Sequence, residues 1–267
     1  MKTVYDPYAK LNTETVIALG CFDGVHIAHR AVIEEAVRVA RELGLTPAVW
    51  CFSEPPKNAY SKEPVPLITD AKEKERLIGE LGVQILITPD FDERIKAVDA
   101  ESFIIDILCG RAGAAHLVCG KNYTFGAGGT GNAEFLRSVC KREGVGISIV
   151  DDVAIDGENV SSTRIREAIG EGRCRYASSL LGRDFSAALE PVPSRKGVFS
   201  LPKKYLFVPD GSYEVALKSG SGTQNKIARV WSDGQYSYVS FEPPADFNRT
   251  VTVCFSNGES LSASNQK

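Results

Sequence analysis

Histidine is scarce in this chain: three among 267 residues, beside one methionine and two tryptophans. Net charge is lacking as well. Lys and Arg number 31 and Asp and Glu 34, giving −3. That balance excludes a general nucleic-acid binder, which would be basic, and leaves any handling of phosphate to a local site. No apolar run approaches the roughly 18 residues of a membrane span, and the opening "MKTVYDPYAK" carries no apolar signal region. The reading is a soluble, cytoplasmic protein with neither nucleic acid nor membrane as partner. The seven cysteines (21, 51, 109, 119, 140, 174 and 254) form no C-x-x-C pair. An odd number spread through apolar segments points to reduced, buried thiols. Nothing in the sequence sets the oligomeric state.

What is present up to about residue 183 is an alternation of two patterns. Short β-branched runs, "TVIALG" (15–20), "PAVWCF" (47–52), "VQILIT" (83–88), "AHLVCG" (115–120) and "GISIVDDV" (146–153), read as parallel strands covered on both faces. Amphipathic stretches separate them. Val32, Ile33, Ala36, Val37, Ala40 and Leu43 fall on one helical stripe. "TDAKEKERLIGELG" (69–82), "DAESFIIDILCGRAG" (99–113) and "GNAEFLRSVCKREG" (131–144) repeat the theme. Strand then helix, several times over, predicts an α/β fold with a doubly wound parallel sheet. After residue 183 the pattern becomes "GVFSL", "YLFVP", "SYEVAL", "KIARVW", "YSYVSF" and "TVTVCF", separated by turn signals "PDGS", "SGSGTQN", "SDGQ" and "SNGE". This predicts a small antiparallel β module, sandwich or barrel. The expected domains are 1–183 and 184–267, joined by the linker "GRDFSAALEPVPSRKG".

Two of the three histidines, His26 and His29, stand between the first predicted strand and the first predicted helix, after a glycine-bearing turn. Gly20 and Gly24 would let backbone approach a ligand closely. A helix N-terminus behind such a turn is a ready anion site, and imidazole N–H groups donate to phosphate oxygens. In an open α/β sheet, ligands bind at the carboxyl ends of the strands. The expected chemistry is therefore centred on phosphate. The competing reading is a pair of surface histidines capping a helix.

The stretch "GCFDGVHIAH" (20–29) resembles the G-x-F-D-G-x-H-x-G-H signature of the nucleotidylyltransferase superfamily, and its FDGVH form resembles bacterial FAD synthetase, the adenylyltransferase module of the bifunctional riboflavin kinase/FMN adenylyltransferase family. "FSEPP" (52–56), "CGKNYTFGAGGTGN" (119–132) and "VSSTRIREAIGEG" (160–172) are similar to further segments of that family, in the same order. The resemblance implies transfer of AMP from ATP to FMN, giving FAD and pyrophosphate, with Mg²⁺ accompanying ATP rather than held by a dedicated set of protein ligands. It implies catalytic roles for His26, His29, Asn122 and Arg166. ATP contacts would come from Gly20, Phe22, Asp23, Gly24, Ser161, Ser162 and Thr163, and FMN contacts from Phe52, Pro56, Asn122, Tyr123 and Phe125.

Several roles stay open. Asp23 either orients the turn, reaches the metal through water, or simply bonds its own backbone. Tyr123 and Phe125 either belong to a flap over the flavin or pack in the core. For Lys72 and Lys74 a solvated helix face is preferred over a place near the FMN phosphate. Asn122 is expected at the end of the fourth strand, and Ser161–Thr163 after the fifth, at a helix start opposite the histidines.

The sequence departs from the family's pattern at Ala28, in place of the usual Gly, at Cys21, where many members have Asn, and at Pro55, in place of a histidine. The C-terminal part resembles a shortened riboflavin kinase barrel without its P-T-A-N-like segment, so kinase activity is expected to be absent. Two other functions fit the same residues: nucleotidylyl transfer to another small phosphate, and a non-catalytic paralogue that binds flavin nucleotide.

Overall fold

A computed structural model describes residues 1–219, 222–245 and 249–255. It divides into two compact units, Met1–Pro64 with Ala71–Asn159, and Val65–Asp70 with Val160–Lys267.

The first unit is built on β1 (Lys2–Val4), β2 (Thr15–Leu19), β3 (Thr46–Trp50), β4 (Ile85–Ile87) and β5 (Ala114–Gly120). A small hairpin, β6 (Thr124–Phe125) with β7 (Gly131–Asn132), precedes β8 (Gly146–Val150), and a second, β9 (Ala154–Ile155) with β10 (Glu158–Asn159), closes the unit. The main sheet runs β1-β4-β3-β2-β5-β8 with every neighbour parallel. Its helices are α1 (Ile27–Leu43), α2 (Ala71–Glu80), the short α3 (Glu93–Lys96) and α4 (Ala100–Ser102), and α5 (Ala133–Glu143).

All five residues of β2 are buried because the sheet is covered on both sides. Val16 and Ala18 pack with Ile33, Ala36 and Ala40 of α1 and with Leu77 and Ile78 of α2. Ile17 and Leu19 point the other way, into a cluster with Ile104, Ile107, Leu108 and Leu136. The period of two distributes the strand between two cores, and a fully buried side chain such as Ile33 contributes about 1.5–3 kcal/mol. The α1 stripe is shifted slightly from expectation: Val39 is buried, whereas Leu43 is 54% exposed just before the helix ends at Gly44 (φ 69°). The stretch expected as one amphipathic helix over 99–113 is α4 running into a π-helical turn, Phe103–Cys109.

From β2 the chain moves outward through β3 and β4 to one side of the sheet; from β5 it moves to β8 on the other. The order reverses between β2 and β5. Their carboxyl ends form the switch point at which open α/β sheets bind ligands.

The second unit holds α6 (Ser162–Gly170), α7 (Cys174–Leu181) and six strands: β11 (Phe185–Pro191), β12 (Val198–Pro202), β13 (Gly211–Ser219), β14 (Gly222–Ser232), β15 (Tyr236–Glu242) and β16 (Val251–Phe255). They close into an antiparallel barrel in the order β11-β12-β15-β14-β13-β16 around Phe199, Tyr213, Leu217, Phe241 and Phe255. The change of pattern near residue 183 falls between the end of α7 and the start of β11, whereas compactness divides the chain at 159/160.

Three expectations are corrected here. The supposed linker contains β11, which pairs with β16 from Phe185 to Leu189. "YLFVP" is not a strand: Leu206, Phe207 and Val208 are buried in succession, and one bridge joins Tyr205 to Leu67. Most of the "SGSGTQN" turn is already β13 and β14, which include Ser219 and Gly222 onward. The turn signal "SNGE" lies outside the described residues.

Candidate active site

The turn between β2 and α1 stands at the switch point. Phe22 (φ 53°), Gly24 (φ 84°) and Val25 (φ 39°) all take left-handed backbone. For the two non-glycine residues this costs on the order of 1–3 kcal/mol each. The strain is offset by two anchors: Phe22 and Val25 are buried in the core on the α1 side of the sheet. A Cβ on Gly20 would lie 2.6 Å from the Phe22 ring, so the glycine makes room for that ring. Phe22, 1% exposed, fixes the turn from beneath, and Asp23 is buried beside it.

His26 is the N-cap of α1. Its Nδ1 accepts the His29 backbone N–H at 3.3 Å. With Nδ1 an acceptor, the proton of the neutral ring is on Nε2. The His29 ring stacks on it, centroids 3.5 Å apart and planes 15° from parallel, and meets the Phe22 ring edge-on at 5.2 Å. The first turn of α1 has no acidic residue, so its N-terminal partial charge stays available to an anion. Ala28 is helical, with no left-handed backbone to forbid a side chain.

Asn122 lies in the turn just beyond β5, which neighbours β2, rather than in the strand itself. It is exposed, and its Nδ2 donates to both Asp152 carboxylate oxygens at 3.1 and 3.3 Å. Asn159 donates to the same carboxylate at 3.0 Å. Asp152 follows β8, so this bond ties the carboxyl ends of two adjacent strands.

Tyr123 and Phe125 stack at 5.4 Å, and Phe125 also meets Phe103 at 5.7 Å. The hairpin that carries them is fastened at its base: Ala127 N–H donates to the Val98 carbonyl, and a Cβ on Gly126 would lie 2.7 Å from Ala100 backbone. Burial pushes the Tyr123 hydroxyl well above the ordinary range, with Cys119, Cys21 and Cys51 adding to it. Phe52 packs edge-on against Phe91 at 4.8 Å, and Pro56 opens a 3₁₀ turn, Pro56–Ala59, for which Pro55 is the N-cap. These rings supply apolar faces suited to a planar group.

One functional candidate is placed contrary to expectation. Lys74 is not on a solvated face: it is 7% exposed, and its Nζ donates to the carbonyls of Phe52 and Ser53. Lys72 is exposed. The missed signal was spacing: Lys74 stands three and four residues before Leu77 and Ile78, on their buried face of α2. Cys21 is half-buried, and burial, with Asp23 adding, pushes its thiol up to about 11.

In the second unit, Ser161 caps α6 by accepting the Arg164 N–H at 3.3 Å, with Ser162 and Thr163 as the first helical residues. They do not follow β8 directly, because the β9–β10 hairpin intervenes. Arg166 is partly buried and donates from Nε to the Pro66 carbonyl at 2.8 Å. Arg164 bonds the Tyr176 hydroxyl.

The strained turn after a central parallel strand, with two histidines at a helix start, belongs to a doubly wound α/β domain with an antiparallel barrel after it. The family model described as FAD synthetase matches residues 8–164. The chain is 32% identical over 273 residues to the bifunctional riboflavin kinase/FMN adenylyltransferase of Bacillus subtilis (strain 168), covering 94% of this chain and 86% of that protein. To the protein of the same name from Escherichia coli (strain K12) it is 31% identical over 172 residues, covering 64% of this chain and 55% of the relative. The chain belongs to the FAD synthetase family. A solved structure titled as a macrolide-efflux protein from Streptococcus pneumoniae shares the fold, with a TM-score of 0.86 at 23% identity, over 100% of this chain and 94% of that one. Among the described residues no helix is long and apolar enough to cross a membrane.

Proposed function

We propose that the chain transfers AMP from ATP to FMN, producing FAD and pyrophosphate, and that its barrel has no riboflavin kinase activity. The observation that carries the reading is the His26–His29 stack at the start of α1, set at the sheet's switch point in a member of the FAD synthetase family. A phosphate oxygen of FMN attacks the α-phosphorus of ATP. The new P–O bond forms as the bond to the bridging oxygen of the β-phosphate breaks, and pyrophosphate leaves. The attacking oxygen is already ionised, so catalysis is alignment and charge stabilisation rather than base catalysis.

In this reading His26 donates from Nε2 and His29 from its ring to the phosphates in transfer, and the N-terminal end of α1 adds to both. Asn122, held by Asp152, orients a substrate group at the end of β5. Phe52, Pro56, Tyr123 and Phe125 provide the flavin's surroundings, while Ser161, Ser162, Thr163 and Arg166 supply further phosphate donors. Gly20, Phe22, Asp23 and Gly24 hold the turn in shape. Among the described residues no three His, Cys, Asp or Glu side chains are grouped to hold a metal ion. The ring N–H groups of His26 and His29 would suit a nucleotide that brings its own magnesium with it. When bound, that ion offsets charge on the triphosphate.

The test is chromatography of products from purified protein given ATP, Mg²⁺ and either FMN or riboflavin. FAD formed from FMN, with riboflavin unchanged, is the expected result. FMN formed from riboflavin would overturn the kinase part of the proposal. Binding of both substrates without pyrophosphate release would favour the non-catalytic paralogue.

A further inference from the structure

Lys74 is a buried cation whose hydrogen bonds go to backbone carbonyls. It is 7% exposed, and its Nζ donates to the carbonyl oxygens of Phe52 at 2.9 Å and Ser53 at 3.0 Å. An ammonium has three donors, and these bonds use two. No Asp or Glu among the described residues forms an ion pair with it. Carbonyls satisfy hydrogen bonds but do not cancel charge, and an ammonium buried without an opposite charge is costly.

Its surroundings say where the charge is felt. Lys74 acts on the thiols of Cys21, in the turn after β2, and Cys51, just past β3. Both thiols are pushed upward by burial, so they are neutral and offer no counter-charge. Asp23 also acts on Cys21. Lys74 therefore brings a fixed positive charge to the carboxyl ends of two adjacent central strands, next to the turn that carries His26. A charge held there by two carbonyl oxygens, with a third donor left over, is preorganised for an anion that arrives with a ligand.

We propose that Lys74 is a substrate-binding residue whose ammonium takes a phosphate oxygen of a phosphorylated substrate, an inference that rests on the adenylyl-transfer reading above. The phosphate comes from the FMN monoester or from the ATP chain, and binding measurements separate the two.

Lys74→Met keeps the length of the side chain and removes the charge; Lys74→Gln keeps hydrogen-bond donors without it. Both are compared with the parent chain, in Mg²⁺, by flavin fluorescence for FMN and riboflavin and by calorimetry for ATP. The expected result is a rise of about tenfold or more in the Kd for FMN in both variants, with riboflavin, which has no phosphate, within about twofold. A comparable loss confined to ATP would assign the phosphate to the nucleotide and also support the proposal. Equal weakening of FMN and riboflavin, with ATP unchanged, would overturn it, since Lys74 would then merely tie down the Phe52–Ser53 segment. All three ligands within about twofold of the parent would overturn it too, whatever the melting temperature does. If neither variant folds, the Lys74 Cε resonance of the parent decides: a shift with FMN or ATP but not with riboflavin supports the contact, and no shift with any of them ends it. A parent that binds FMN through Lys74 yet forms no FAD would sink the adenylyl-transfer reading and leave the phosphate contact standing.

Discussion

His26 accepts the His29 backbone N–H through Nδ1, and the two imidazoles lie face to face at 3.5 Å. One side chain thus does two jobs. It caps α1, and by accepting at Nδ1 it leaves Nε2 to carry the ring proton, the one that the proposed mechanism offers to phosphate. The cap is seen directly, on a buried rather than a surface histidine, and it is compatible with the proposed phosphate role because it orients the ring.

The two jobs separate by substitution. His26→Ala loses cap and donor together and should cost about 1 kcal/mol of stability as well as activity. His26→Asn restores a favourable cap, so its melting temperature should stay close to the parent's while turnover remains low. His29→Ala leaves the His26 cap in place and should cut turnover by about two to four orders of magnitude with little change in FMN binding. Turnover within about threefold of the parent in His29→Ala would remove that residue from the phosphate chemistry.

Gly20 and Phe22 make a second pair. With no Cβ at position 20 the Phe22 ring closes over the end of β2; a Cβ would come within 2.6 Å of it. Gly20→Ala should destabilise the fold by about 1–3 kcal/mol through overpacking. Combining it with Phe22→Leu, which shortens the clashing group, should cost less than the two single changes added together. Additive losses in chemical denaturation would show that the glycine faces something other than this ring.

What the sequence made legible follows from which interactions are local. The run 15–19 reads as a buried strand because all five positions face core, and His26 reads as a helix start because turn, histidine and apolar stripe are contiguous. β11 was hidden because only Phe185 and Leu189 of its seven residues are buried and prolines follow closely; its status as a strand depends on pairing with β16, some 65 residues away. The Asn122–Asp152 bond spans 30 residues and has no local signature. Lys74 was assigned to solvent on its charge, although its spacing from Leu77 and Ile78 placed it inward. Charge outweighed periodicity in that reading, and for Lys74 periodicity was the better guide.

The thiols provide a test of burial through chemistry. Cys21 and Cys109 are only half-buried, whereas the other five are buried. Cys21 is nonetheless pushed up to about 11, by burial first and by Asp23 second, and burial raises Cys109 as well. The thiolate is the reactive form, and a raised pKa keeps the thiol protonated until higher pH. At pH 7.5 a group with a pKa of about 11 is ionised in roughly one molecule in three thousand. Native protein should therefore react slowly with a disulfide reagent at pH 7.5, and unfolded protein should release seven equivalents promptly. Between pH 7.5 and 9.5 the rate at Cys21, read by peptide mass spectrometry, should rise about a hundredfold. Fast labelling of Cys21 that is insensitive to pH would mean that its neighbourhood stabilises the thiolate.

The glycines of the β6–β7 hairpin separate backbone strain from close packing. Gly126 (φ 75°) and Gly128 (φ 66°) are both left-handed, so alanine at either position carries a similar conformational cost of about 1–2 kcal/mol. Their surroundings differ. A Cβ on Gly128 meets nothing within 4 Å, whereas one on Gly126 comes within 2.7 Å of the Ala100 nitrogen and Cα. Backbone cannot yield as a flexible side chain can, so Gly126→Ala should add about 1–3 kcal/mol beyond Gly128→Ala. Because Tyr123 and Phe125 ride on the same hairpin, Gly126→Ala should also weaken flavin binding more than Gly128→Ala does. Melting curves and flavin titrations on the two variants check both statements. Equal losses would mean that the hairpin is not anchored on Ala100, and that its rings reach a flavin without the fixed base inferred from the close approach.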